Sequence, residues 1–284
     1  MPRGLRRNFS RNPLPFTLAH PAAVLPFLRQ PFVPVALVAG AMAPDVPYFA
    51  MVSSTSDAWY APMLNGANSH DFSQILSVGL PLALVLAGFL WLVVKPLRWA
   101  LPDSWVPDKP ALKGRPPTSA RVALWTFYSL MLGLLTHLAW DSFTHSYGWV
   151  VERVPLLASE PVAGIAIYRL LQHGSTLAGL VLVVLWYLKR QKASGHRGKN
   201  GELQGRKVRA LLLALLLVVP ATIAAVLGLD SKPVMEDAAS AGTFLWIVIT
   251  RGGAALVVAL AAYAVLWHAV SVIRRLRAVA KARD

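Results

Sequence analysis

Long apolar runs, separated by short clusters of Pro, Gly and basic residues, set the pattern of this chain. A helix needs about 20 mostly apolar residues to cross the ~30 Å hydrocarbon core of a bilayer. The windows 71–94, 122–143, 162–188, 210–228 and 243–273 meet that requirement and predict spanning helices. Residues 17–29 and 33–50 read as two shorter helices, broken apart by Pro31 and Pro34. They predict an N-terminal helical hairpin that either re-enters or spans. There is no strand signal and no internal repeat. The expected fold is therefore all-α: a polytopic transmembrane bundle with an N-terminal hairpin and about five to seven membrane segments.

The same pattern divides the chain into a basic tail at 1–13, a membrane helical unit at 14–190, a basic loop at 191–209, and a C-terminal transmembrane hairpin with a basic tail at 210–284. The tail and the apolar stretch after it imitate a signal peptide, but Pro13, Pro15, Pro21 and Pro26 interrupt the run. Composition agrees with membrane insertion. The chain is 56% hydrophobic and 14% charged, where soluble domains carry about 25% charged residues. The net charge of +15 would suggest nucleic acid in a soluble protein. Here it marks loops instead, and no nucleic-acid partner is expected. Of the 28 Lys and Arg, six fall in 95–121, eight in 189–209 and five in 274–284, whereas 144–161 and 229–242 hold only Arg153 and Lys232. Alternate passes put the three rich segments on one side, which the positive-inside rule makes cytoplasmic. The basic N-terminal tail breaks this pattern if 17–50 is a hairpin. The absence of cysteine removes disulfides and thiolate chemistry, so any metal must be held by His and carboxylate.

Ionisable side chains in or beside spans are costly and so point to function. Five stand out: His20, Asp45, His70, His137 and Asp141. The i, i+4 spacing of His137 and Asp141 puts both on one helical face. They suit either a shared metal or a hydrogen-bonded pair. Asp45 sits between Pro44 and Pro47 where an apolar helix ends, as a ligand or a solvated turn residue. A turn near Gln30 gives arms whose lengths differ by roughly 6 Å at 1.5 Å per residue, so His20 and Asp45 can meet at the open end. Asp71, before a helix, reads as a cap. His70 beside it is open to either role. The charge count places all five residues at one, extracytoplasmic, end of the bundle. Such convergence favours a metal site, with zinc or another first-row divalent ion suiting a His/Asp set. His145, Tyr168 and Gln172 lie near the same face as groups that would support ligands or contact substrate. Polar residues are nearly absent from the inner halves at 122–136, 210–228 and 252–266, which argues against a transport path.

The segments Leu14-Pro-Phe-Thr-Leu-Ala-His20-Pro, Gly40-Ala-Met-Ala-Pro-Asp45, Ser69-His70, Thr136-His137-Leu-Ala-Trp-Asp141-Ser-Phe-Thr-His145 and Tyr168-Arg-Leu-Leu-Gln172-His together resemble the DUF4184 family of bacterial membrane proteins. The resemblance covers roughly residues 14–190. It implies a multi-pass protein of the bacterial cytoplasmic membrane. More remotely, the order His, Asp, His, His-xxx-Asp is similar to DUF457-type membrane-bound metal-dependent hydrolases and to zinc-dependent phospholipase C. That similarity implies His20, Asp45, His70, His137 and Asp141 as metal ligands, with Asp45 and Asp141 catalytic. The implied activity is zinc-dependent hydrolysis of a phosphodiester or phospholipid-like substrate at the membrane interface. The chain departs from the soluble enzymes in lacking a later His-xxx-Glu pair, and Tyr168-xxx-Gln172 stands nearest that position. A non-catalytic protein with a structural His/Asp metal site, or a transporter, is the alternative.

Overall fold

The computed structural model describes residues 18–50, 58–102, 105–106, 118–161, 164–193, 203–230 and 238–281. The basic tail 1–13 and residues 194–202 of the basic loop lie outside them. Helices run over α1 (Pro21–Val24), α2 (Pro34–Met42), α3 (Val46–Ala50), α4 (Gly66–Ser69), α5 (Leu80–Ala100), α6 (Ser119–Thr144), α7 (Pro155–Ala158), α8 (Ile167–Ala193), α9 (Leu203–Asp230) and α10 (Ala238–Lys281), with no strand among the described residues. Among the described residues, five helical stretches are long and apolar enough to cross a membrane: Phe72–Ala100, Ser119–Thr144, Ile167–Lys192, Lys207–Leu227 and Phe244–Lys281. The chain is an all-α, multi-pass membrane bundle.

The two hairpin arms differ from the continuous helices expected at 17–29 and 33–50. The first is α1 followed by a 3-10 turn at Leu25–Phe27, and the second is α2, a 3-10 turn at Ala43–Asp45, then α3. Pro21, Pro26, Pro34, Pro44 and Pro47 each remove a backbone donor, so no long ladder forms. The hairpin is nonetheless deep. Its tip brings Phe32 edge-on to Trp125, with ring centroids 5.5 Å apart. Trp125 lies twelve residues, about 18 Å, along α6 from His137. The Val33 amide, left without a helical partner before Pro34, donates to the buried Ser129 hydroxyl at 2.9 Å. Leu130 and Leu134 pack in one cluster with Leu82 and Ala83 of α5, and Leu37 packs with Val24 of α1; all three leucines are almost wholly buried.

Two glycines let α2 and α6 touch backbone to backbone. A Cβ on Gly40 would stand 2.3 Å from the Leu130 carbonyl oxygen, and one on Gly133 would stand 2.4 Å from that of Leu37. Any side chain at either position would force the helices apart.

Residues 95–121 read as a loop in the sequence, yet α5 continues past Lys95-Pro96 to Ala100. Pro96 has no amide hydrogen, which orphans the Leu92 carbonyl four residues earlier. His268 of α10 supplies the missing donor, its Nε2 lying 3.1 Å from the Leu92 oxygen. Tyr263 donates to the Pro96 carbonyl at 3.0 Å, and Lys95 lies over the Trp267 ring. Substituting His268→Leu strips the carbonyl of its partner in an apolar layer, a loss of about 1–3 kcal/mol. A lower thermal unfolding midpoint in detergent, with unchanged metal content, is the expected result.

Candidate metal centre

Four elements deliver the five residues of the polar cluster to one end of the bundle. His20 precedes α1 and Asp45 closes the 3-10 turn after α2. His70 follows α4, while His137 and Asp141 stand one turn apart on α6. The α4 turn is fastened to the hairpin by Ser69, whose hydroxyl donates to the Pro44 carbonyl at 2.7 Å. Asp71, as its sequence position predicts, caps the next turn by accepting from the Ser73 amide at 2.8 Å. That hydrogen bond lowers the pKa of its carboxyl.

The geometry is compact. His70 Nε2 lies 3.4 Å from Asp45 Oδ1 and 3.3 Å from Asp141 Oδ2. His137 Nε2 lies 3.1 Å from Asp141 Oδ2 and 3.8 Å from Asp45 Oδ1. His20 Nε2 is 3.7 Å from Asp141 Oδ1 and 4.0 Å from Asp45 Oδ2, and its ring stacks on that of His137. Two overlapping groups, His20–Asp45–His137 and His70–His137–Asp141, keep their donor atoms within 4.8 Å of one another. Asp45, His137 and Asp141 are buried.

Hydrogen bonds on the far side of the rings decide what the near side offers. His137 Nδ1 donates to the Ala41 carbonyl at 2.7 Å and His70 Nδ1 donates to the Gly66 carbonyl at 2.8 Å. Neutral rings held this way turn bare Nε2 lone pairs inward, which is how metal-binding imidazoles are oriented. The two Nε2 atoms face each other at 3.3 Å. Two lone pairs cannot bond to each other, so a cation must stand between them and the carboxylates. A proton on His70 can take that place, since its Nε2 lies 3.4 and 3.3 Å from the two carboxylates. Burial disfavours it, but hydrogen bonds to Asp141 and Asp45 outweigh burial and raise the His70 pKa well above its ordinary value. Asp45 Oδ2 and Asp141 Oδ1 remain buried without a hydrogen-bond donor. Buried unpaired carboxylate oxygens are costly and call for a partner. Three imidazoles and two carboxylates with two orphaned oxygens fit a divalent metal of the zinc type.

Around this cluster, His145 Nδ1 lies 3.6 Å from Asp141 Oδ1, and its Nε2 lies 3.2 Å from the Gln172 amide nitrogen. Gln172 donates to Nε2 and so leaves the ring proton on Nδ1, which meets the Thr144 hydroxyl at 3.2 Å. Burial lowers the His145 pKa and favours this neutral form. Tyr168 is not brought to the cluster: it lies outside the cavity wall, and its hydroxyl accepts from Arg169 Nε at 3.4 Å. Tyr48 and Tyr147 were not singled out by sequence. Their rings lie 5.7 Å from His70 and 5.4 Å from His145, respectively. Their only sequence signal is adjacency, Tyr48 three residues after Asp45 and Tyr147 two after His145. A cavity of about 290 Å³ opens on the cluster, with His20, Asp45, Asp141, His145 and Gln172 in its wall.

The family model for a domain of unknown function, DUF4184, matches residues 14–265. The chain belongs to the DUF4184 family. The match takes in every residue of the cluster and runs through α9 into α10, well beyond the 14–190 resemblance carried by the motifs. Neither the curated proteins nor the solved structures offer a match to this DUF4184 chain.

Proposed function

We propose that this DUF4184 protein is a membrane-bound, zinc-dependent hydrolase of phosphodiester or lipid-like phosphoester substrates. The observation that carries the reading is the pair of orphaned oxygens, Asp45 Oδ2 and Asp141 Oδ1, beside two imidazoles whose Nδ1 atoms are already committed. His20, Asp45, His70, His137 and Asp141 hold the metal. A zinc ion bound there supplies a water of lowered pKa and polarises a phosphoryl oxygen. Asp45 Oδ2 accepts a proton at the cavity wall. His145, its ring held by Gln172 and the Thr144 hydroxyl, stands beside Asp141 and shapes the surroundings of that carboxylate. The Lys/Arg distribution supports an extracytoplasmic site in a bacterial cytoplasmic membrane.

Burial of the cluster also suits a purely structural metal. The cavity that reaches Asp45 and Asp141 favours chemistry over that role. Detergent-purified protein should carry stoichiometric zinc by elemental mass spectrometry and should cleave bis(p-nitrophenyl) phosphate in a chelator-sensitive manner. Bound zinc with no turnover on any phosphoester leaves the structural role. Protein that takes up no metal even after reloading removes both.

A further inference from the structure

The cavity does not end at the polar cluster. It continues along α8 from Gln172 to Leu182, facing the α1 arm from Ala19 to Ala23. Ten residues of helix make this stretch about 15 Å long, half the ~30 Å thickness of a hydrocarbon core. Its wall changes character along the way. Ala19, Ala22, Ala23, Ala178, Gly179 and Leu182 line the far part. The hydroxyls of Ser175 and Thr176 are turned back onto the Gln172 carbonyl at 3.1 and 2.7 Å. No charged side chain lies in the wall beyond Gln172. Leu182, at the far end, is 53% exposed on a helix long and apolar enough to cross a membrane. The cleft therefore opens sideways, onto the face that lipid covers.

From this continuity of a polar end and a small-residue apolar end, we infer that the α1–α8 groove receives one hydrocarbon chain of a phosphate-bearing lipid that enters from the bilayer. The head would then lie at the His/Asp cluster. The inference rests on the hydrolase reading for the head and on the groove alone for the chain. Size restricts the ligand. At roughly 30 Å³ per water-sized unit of a liquid, about 290 Å³ holds about ten non-hydrogen atoms. That accommodates a phosphate and the first carbons of a single chain, with the remainder leaving past Leu182. A second chain has no room and stays in the bilayer.

The probe is a long-chain alkyl phosphate carrying a diazirine at the third carbon from the phosphate. The full-length protein is reconstituted in vesicles of phosphatidylethanolamine and phosphatidylglycerol and irradiated. Label is expected in the segments 19–23 and 178–182, competed by the unlabelled alkyl phosphate. Ala178→Trp fills the groove and should cut that label about tenfold, while metal content stays at the wild-type level. Leu177→Trp, on the exposed outer face of the same helix, should leave it unchanged. Label spread over the outward faces of α9 and α10, or indifferent to Ala178→Trp in protein that retains its metal, overturns the inference. The two readings fail separately. Groove labelling without any metal-dependent turnover removes the hydrolase and keeps the groove. Turnover of a chainless phosphodiester without groove labelling does the opposite.

Discussion

Gly133→Val should yield little folded protein, and Gly133→Ala should yield protein that unfolds earlier and has lost most of its metal. A Cβ at this position meets only backbone: Leu37 O at 2.4 Å, Ala41 N at 2.6 Å and Gly40 Cα at 2.8 Å. None of these atoms can rotate away, so α2 must retreat from α6 by about the radius of a methyl group. Overpacking of this kind costs about 1–3 kcal/mol, and more where backbone must shift. The chemical consequence follows from position. His137 lies one turn beyond Gly133, and its Nδ1 reaches the Ala41 carbonyl at 2.7 Å only because the two helices touch. Separation breaks that bond, frees the ring and scatters the cluster. Gly88→Ala is the internal control: nothing lies within 4 Å of a Cβ there, so an alanine should be neutral or slightly stabilising. Thermal melts and metal content of the three variants, measured in one detergent, check the prediction. A Gly133→Ala protein with wild-type melting and full metal would show that the close crossing is dispensable.

His137→Ala should abolish stoichiometric metal, whereas His145→Ala should only weaken it. His137 presents Nε2 to both carboxylates, at 3.1 and 3.8 Å, and its removal takes away the one residue that the two candidate groups share. His145 stands beside one oxygen of Asp141 at 3.6 Å, with its own ring nitrogens paired to Thr144 and Gln172, and so acts from outside the ligand set. Outer partners of this type are worth about 10–100-fold in metal affinity. A competitive chelator titration separates the two effects: no measurable uptake for His137→Ala, and a shifted but complete uptake curve for His145→Ala. Equal loss in both variants would place His145 among the ligands.

The parts of this structure that could be read from sequence are those governed by periodicity and chain geometry. Span positions follow from apolar run length, since few other residues survive at that depth. The meeting of His20 with Asp45 follows from two arms of similar length. The convergence of His70, His137 and Asp141 follows from alternate crossing. What sequence did not reveal depends on groups that every residue carries. The Ala41 and Gly66 carbonyls, which fix the two inward-facing imidazoles, look like any other peptide oxygens until the fold places them. Ser129 is one serine among many until Val33 needs an acceptor. The pairing of Gln172 with His145 joins α8 to the end of α6, across 27 residues, and leaves no local pattern. The end of α5 was misplaced because Lys-Pro normally stops a helix, and here a histidine far along the chain mends the break.

The hairpin lies at the beginning of the chain but packs on α6, which is made much later. The Val33 amide and its acceptor Ser129 are 96 residues apart, and His137 and its acceptor Ala41 are likewise 96 apart. At about 5–20 residues per second, the ribosome needs roughly 5–20 s to supply the second member of each pair. Throughout that interval the Val33 amide and the Ala41 carbonyl lack the partners that α6 supplies, so the hairpin cannot hold its final place. Docking must therefore follow synthesis of α6. The metal centre is assembled late, when a segment that emerged early is drawn into a bundle already crossing the membrane.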